Sequence, residues 1–497
     1  MMMENLKNRR QFLFSPKKCT KLKNWQIVPF GKYYIHVHPD CEVNYILNNS
    51  RNVALIGYII DPKYPKKNNA EVLQELYNYK SIQNIPKKLY GLTGRFILIF
   101  NDNSKYRFFH DPCGLRMMFY AKQDGYIYAS SQPLLLNLVI PIKKGFKYRS
   151  YLESQYVKYD NEHYFPSGVS LYDNVEHLVP NHYLDSSSFT QIRYWPDSQL
   201  ISEDFEIAAN KIAKLLKDTL YAVYLRYKIA LPVTAGWDTR IILSACKDIA
   251  NNIYFYTLKY GNLTDNSADI KIPEKLFSKL SFPHQIIDCN KTISDDFLRI
   301  YNNNTDTPHK YWSLISAGMY KNFPEERINI KGNCSEIVRC FYYPNGKYPK
   351  IIDDSYLINL VGNWKHIDFI KTRLSEWIQE IKIINNDFGY NILDLFYWEH
   401  RMGSWQAQSQ LEGDIIHETF TPFNNRELLD IMLSVDVKQR CKINRYNKLY
   451  IEVMSTLWKE VLSEPVNPLS NIQKIKTVLK KIMNTNISKK LFLNKYK

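Results

Sequence analysis

Residues 228–246 leave the chain few ways to fold, because an apolar run there stops at a turn of small residues and restarts as a helix. Lys228 to Thr234 (KIALPVT) is apolar without strict alternation, as a strand covered by helices on both sides requires. Ala235-Gly236-Trp237-Asp238 makes the turn, and a helix is expected from about Thr239 to Cys246. The pattern then repeats. Ile253 to Lys259 (IYFYTLK) reads as a second strand, and Asn266-Ser267 opens a helix that runs through Lys279. His284 to Asp288 (HQIID) and Ile328 to Lys331 (INIK) supply two further strands. Strand and helix alternating at these lengths predict a doubly wound parallel sheet, and from Asp353 onward the chain reads almost wholly helical.

The first 195 residues obey a different rule. Val53 to Ile60, Gly94 to Phe100, Tyr106 to His110 and Tyr126 to Ser130 are short β-branched and aromatic runs with Asn, Asp and Gly between them. Helices interrupt them at Asn69 to Tyr79 and near Gln132, and a break falls at Trp195-Pro196-Asp197-Ser198 before a long helix, Phe205 to Tyr227. Two domains are therefore expected, residues 1–197 and 198–497, an α+β unit followed by an α/β one, and a chain of 497 residues can bury a core in each.

The net charge of +17 sits mainly at the ends: residues 1–24 carry seven Lys or Arg against Glu4, and residues 471–497 carry eight Lys and no acid. The body between is nearly neutral, which speaks against a nucleic-acid interface. Ile472, Ile475, Leu479 and Ile482 recur at helical spacing among those lysines, a pattern that suits a helix packed on the body or contact with an anionic membrane or a partner. The eight cysteines form no C-x-x-C pair and read as reduced thiols. With neither a ~20-residue apolar span nor a leader pattern, a cytoplasmic protein is expected. His36 and His38 alternate before Pro39, but no further ligand follows, so a surface or packing role is expected of them rather than a metal.

In an open parallel sheet ligands bind beyond the carboxyl ends of the strands, which singles out the turn Thr234-Ala235-Gly236-Trp237-Asp238-Thr239-Arg240. Its small residues let the backbone close tightly, and a helix amino terminus behind it favours an anion such as phosphate. Thr234 and Thr239 offer hydroxyls, Asp238 a ligand for Mg2+, and Arg240 a forked cation. Taken alone, the same residues also fit purely structural capping.

The heptapeptide resembles the S-G-G-x-D-S-[SR] pyrophosphate-binding loop of the asparagine synthetase family of N-type ATP pyrophosphatases. Three further segments resemble that family in the same order. Ile328 to Tyr342 (INIKGNCSEIVRCFY) is similar to its strand followed by S-G-E-G-S-D-E-x-x-x-G-Y, with Lys331 and Gly332 on the Ser-Gly, Asn333 on the Glu, Ser335 on the Ser and Glu336 on the Asp. Arg401 to Asp430 is similar to its helical stretch ending in Pro-Phe-x-x-x-x-[IL]. Gly94 to Tyr120 with Tyr128-Ala129-Ser130-Ser131 resembles the class II glutamine amidotransferase core. The resemblance implies an Ntn-hydrolase-like sandwich, then a PP-loop ATP pyrophosphatase domain with a helical C-terminal part.

What it implies chemically is an AMP-forming amide ligase. A substrate carboxylate attacks ATP to give an acyl-adenylate, and ammonia or another amine then displaces AMP. By position Asp238 and Glu336 become the Mg2+ ligands and catalytic acids. Thr234, Ala235, Gly236, Thr239 and Arg240 become the pyrophosphate cradle, and Val233, Leu258 and Gly332 the nucleoside contacts. A catalytic cation is expected among Lys442, Arg445 and Lys448, with Lys448 the candidate. Partners are then a small carboxylate, an amine and a second copy of the chain in a homodimer.

The departures shape the expectation. Met1-Met2-Met3-Glu4 stands where an amidotransferase exposes its nucleophilic Cys, the nearest thiol is Cys19, and Gly57 to Pro62 replaces the N-G-E segment that holds glutamine. The first domain is therefore expected to serve as scaffold or substrate wall without glutaminase activity. Asn333, Trp237 and Arg240 depart from the family and turn the expected substrate away from aspartate, toward a sugar acid of surface polysaccharide. A nucleotide-binding or glycan-precursor-binding pseudoenzyme is the alternative.

Overall fold

In the computed structural model residues 4–468 are described, apart from Lys80, Asp160, Asn161, Ser167, Lys291, Glu325, Asn363 and 442–445. The part of the chain expected as the first domain contains β1 (Phe12–Ser15), β2 (Gln26–Phe30), β3 (Tyr33–Val37), β4 (Val43–Ile46), β5 (Arg51–Ile60), β6 (Thr93–Asp102), β7 (Lys105–His110), β8 (Phe119–Gln123), β9 (Tyr126–Ser130), β10 (Glu176–His177), β11 (His182–Asp185) and β12 (Thr190–Arg193). They form two antiparallel sheets, ordered β10-β8-β9-β1-β3-β2 and β12-β11-β7-β6-β5-β4. Phe12, Phe14, Val28 and Ile35 of one sheet pack against Ala54, Ile56, Ile97, Ile99 and Phe108 of the other. The opposite face of β5 and β6 is closed by the helix Asn69–Tyr77, whose start is fixed by a capping box between Asn68 and Glu71. The sheet-rich character expected of this part of the chain is thus observed, with a helix outside the two sheets.

The second domain is built on β13 (Lys228–Pro232), β14 (Tyr254–Lys259), β15 (His284–Asp288), β16 (Arg327–Ile330) and β17 (Thr419–Phe420), ordered β15-β14-β13-β16-β17 and parallel throughout. Alternate residues feed two cores. Ile229, Leu231 and Phe255 face the helices Phe205–Tyr224 and Trp237–Ala245, while Ala230, Tyr256 and Ile287 face the helices Asp295–Asn304 and Lys310–Asn322. That two-sided burial is why these strands read as unbroken apolar runs. From β13 the chain winds outward through β14 and β15, then returns to the other side of β13 as β16. The switch point lies between β13 and β16, so the loops that leave these strands flank one crevice.

One strand was not expected. β17 lies inside the region read as helical, and its two residues pair with Asn329 and Ile330. The C-terminal part is otherwise helical, with a π-helical stretch at Tyr397–Gln406. No described helix is long and apolar enough to cross a membrane. The basic segment 471–497 and its membrane or partner contact lie outside the described residues.

The two parts share one apolar cluster, which joins Tyr58 and Cys113 to Trp398 and Phe420, and beside it a charged seam. Arg95 and Arg116 of the first meet Asp414 and Glu418 of the second: Arg95 Nη2 donates to Asp414 Oδ2 at 2.9 Å, and Arg116 Nη2 to Glu418 Oε2 at 2.9 Å. Asn424 donates to Asp111 and accepts from the Cys113 N–H, and the Tyr58 hydroxyl donates to the Thr419 carbonyl beside it. His36 is buried, accepting from the Cys19 N–H and bonded to the Leu13 carbonyl, and so has a packing role.

Candidate active site

The turn after β13 closes on itself. The Thr234 N–H donates to Thr239 Oγ1 at 3.1 Å, the Gly236 N–H donates to Thr234 Oγ1 at 3.1 Å, and the Ala235 N–H donates to the Asp269 carboxylate at 3.1 Å. Gly236 begins the helix Trp237–Ala245, and no side chain caps that end. Its first N–H groups and their dipole are directed at the crevice, where an anion is favoured.

The loop after β16 comes up against this turn. A Cβ placed on Gly332 would lie 2.9 Å from Asp238 Cβ, so only a glycine allows the two loops to approach this closely. Ser335 Oγ donates to Asp238 Oδ1 at 2.5 Å, and Arg339 Nη2 donates to Asp238 Oδ2 at 3.0 Å. Arg339 also lies 3.7 Å from Glu336 Oε1, while Glu336 Oε2 and Arg339 Nε are buried with no hydrogen-bond partner. Burial, reinforced by the charge of Asp238, pushes the Glu336 carboxyl up to about 7. Lys331, beside Gly332, is pushed down to about 8 by burial.

Next to the carboxylates stands an aromatic wall. Phe341 and Tyr342 pack on Tyr397 at ring-centroid distances of 4.7 and 5.6 Å. Arg401, one turn on, lies 5.5 Å from the Phe341 ring centre and 4.5 Å from that of Trp405, and pairs with Glu162 of the first domain at 2.5 Å. Tyr397 and Arg401 both sit on the π-helical stretch, a distortion that recurs at functional sites.

Asp238, Glu336 and Gly332 thus converge, with Thr234, Ala235, Gly236 and Thr239 in the turn beside them. The remaining expectations meet a different geometry. Arg240 is fully buried and donates to the carbonyls of Val461 and Glu464 at 2.7 and 3.1 Å. It clamps the C-terminal segment rather than the crevice, because two residues along a helix turn a side chain about 200° from Asp238. The Val233 side chain is fully buried, its N–H bonds the Tyr256 carbonyl and its own carbonyl accepts from Thr257, so it is occupied by the core. Leu258 packs with the cluster around Tyr256 and Ile287. Lys448 is exposed at the start of the helix Lys448–Trp458, with Nζ 4.2 Å from the Phe205 ring centre, and does not join the carboxylates. Lys442 and Arg445 lie outside the described residues. Arg339 is the crevice cation that the sequence reading passed over. A cation three residues after Glu336 on a helical turn was the available signal for Arg339.

Magnesium takes oxygen ligands, and the crevice offers Asp238 and Glu336, with Glu336 Oε2 buried and unpartnered, so the donor chemistry fits that ion. Among the described residues no group of three His, Cys, Asp or Glu converges as a metal site, so phosphate oxygens and water would have to complete the coordination.

No family model matches the chain. No curated protein matches it either. Among solved structures, the glutamine phosphoribosylpyrophosphate (PRPP) amidotransferase from B. subtilis complexed with ADP and GMP is similar over 70% of this chain and 93% of that one, at 10% identity and a TM-score of 0.25. A likeness at that level does not define the fold, which rests on the three sheets described above.

Proposed function

We propose that the chain is an ATP-dependent, AMP-forming amide ligase. The observation that carries the reading is the meeting of two loops at the switch point of a parallel sheet, one ending in an uncapped helix and each contributing a carboxylate. The turn Thr234–Gly236 and the start of the helix would receive the pyrophosphate, with hydroxyls and N–H groups as donors. Asp238 and Glu336 would hold Mg2+, which supplies charge shielding between the substrate carboxylate and the phosphates.

The carboxylate oxygen attacks the α-phosphorus and pyrophosphate leaves. An amine lone pair then attacks the acyl carbon, AMP departs with the bonding electrons, and the amine gives up a proton. Lys331, next to Gly332 in the loop after β16, is the candidate to steady the negative charge in these steps, since the Lys448 Nζ lies over the Phe205 ring instead. The wall of Phe341, Tyr342, Tyr397 and Trp405 with Arg401 favours a ring-shaped, anionic acceptor, a sugar acid before aspartate. The first domain supplies part of that wall through Glu162, which holds Arg401. Cys19 is buried beneath His36, which supports a scaffold role without glutaminase chemistry.

A second reading has its own support. Both Asp238 oxygens are engaged by Ser335 and Arg339, and the Ala235 N–H is taken by Asp269, a satisfied state that suits a protein that binds a nucleotide or glycan precursor without turnover. Incubation with Mg·ATP, ammonia and a panel of aspartate, glutamate, uronic acids and their nucleotide-linked forms separates the two. Substrate-dependent AMP and pyrophosphate that disappear in Asp238→Asn support the ligase. ATP binding without AMP for any acid favours the binding protein, and no ATP binding at all removes both.

A further inference from the structure

The two carboxylates already hold a cation. Arg339 Nη2 lies 3.0 Å from Asp238 and 3.7 Å from Glu336, so one guanidinium stands between both acids. It comes from the same loop as Glu336: the single turn Ser335–Val338 sets Arg339 three residues after it, alongside rather than opposite. The Tyr450 ring lies 5.8 Å from the guanidinium carbon, and the Tyr450 hydroxyl anchors the loop through the Ser335 carbonyl at 3.2 Å. The Arg339 and Glu336 side chains are each only 17% exposed, and that of Asp238 26%.

The arrangement is nevertheless incomplete. Glu336 Oε2 and Arg339 Nε are both buried without partners, so Arg339 offsets part of the pair's charge without filling its bonds. Two carboxylates carry two negative charges and a guanidinium one positive charge. Adding a divalent cation while Arg339 stays would leave an excess of positive charge in a space where water screens poorly. Replacing the guanidinium by the cation restores balance and gives Glu336 Oε2 a ligand to bind.

We propose that Arg339 is the resident counter-ion of the Asp238–Glu336 pair, and that a divalent cation enters with the nucleotide by exchanging for it. The freed guanidinium is then available to the incoming phosphates. The inference rests on the reading of this pair as the metal-nucleotide site. It explains how the charge of the pair is partly offset without metal, and it makes metal binding depend on nucleotide.

The test is a titration with Mn2+ followed by the electron paramagnetic resonance signal of the free ion, with and without ATP. The full chain is used as wild type, Arg339→Ala, Arg339→Lys, Asp238→Asn and the Asp238→Asn/Arg339→Ala double variant, each checked for fold by circular dichroism. Without nucleotide, Arg339→Ala is expected to bind Mn2+ about tenfold more tightly than wild type. Arg339→Lys keeps the charge and stays near wild type, and the double variant loses the gain. With ATP the gap between wild type and Arg339→Ala narrows. Should Arg339→Ala fail to fold, Arg339→Gln is read in the same way. Equal Mn2+ affinity of folded wild type and Arg339→Ala overturns the exchange alone, provided ATP-dependent Mn2+ binding is present in wild type and lost in Asp238→Asn. Absence of Mn2+ binding in every variant, with or without ATP, overturns the metal-site reading along with it.

Discussion

Two clusters of charged side chains treat their charge differently. In the seam between the domains, Arg95 and Arg116 face Asp414 and Glu418, and none of the polar atoms of these four side chains is left buried without a partner. In the crevice, Asp238 and Glu336 share one guanidinium, and two atoms are left over. A fully bonded cluster resists change because every alternative leaves a bare charge in low dielectric. An incompletely bonded one has an unmet demand that a ligand can satisfy. The contrast separates charge that holds the molecule together from charge that waits for a partner.

The largest expected effect is in the seam. Arg116→Ala leaves Glu418 facing fewer cations and should cost about 3–5 kcal/mol, whereas Asp238→Asn should cost about 1–2 kcal/mol. Urea unfolding of the two variants checks this, and equal losses would erase the contrast.

Acidity provides a second, smaller separation with opposite signs. Burial raises the Glu418 carboxyl, but the charges of Arg116, Arg95 and Arg10 outweigh it and hold the group at about 2 against an ordinary 4.5. Its contribution is present above pH 4.5 and is lost as pH falls toward 2. Glu336, raised to about 7 by burial and Asp238, works the other way: its stabilisation is complete below pH 4.5 and disappears as pH rises through 7. Unfolding free energies measured from pH 3 to pH 8 should show Glu418→Gln flattening the acid limb and Glu336→Gln flattening the neutral limb, each by about 2–3 kcal/mol.

The smallest effects compare two lysines. Lys331→Ala should lower AMP formation about tenfold to a hundredfold with little change in stability. Lys448→Ala should alter stability by less than about 0.5 kcal/mol and leave AMP formation unchanged. A reversed order in the same assay would return the catalytic role to Lys448.

How legible each region was in the sequence follows from how local its causes are. β13 and β14 were readable because burial on both faces writes itself as consecutive apolar residues, and Asp238 because it opens a helix after such a strand. Arg240 was misplaced because adjacency along the chain is not adjacency on a helix, where two positions reverse the direction of a side chain. β17 was hidden because two residues have no period, and its pairing depends on Asn329 and Ile330 some ninety positions earlier. The seam was hidden for the same reason: nothing near Arg95 in sequence announces Asp414, its partner 319 residues away.

β17 also bears on the order in which the molecule is made. Its residue Phe420 accepts the Lys331 N–H at 2.8 Å, and Glu418, two positions before it, is held by Arg95 and Arg116. A nascent chain emerging from the ribosome therefore exposes the turn after β13 long before the strand that braces the loop after β16 has been synthesised. When that strand arrives it docks against the sheet and the already translated first domain together. The crevice is completed late in biogenesis, and chains truncated before residue 418 should accumulate with a finished sandwich and an unbraced second loop.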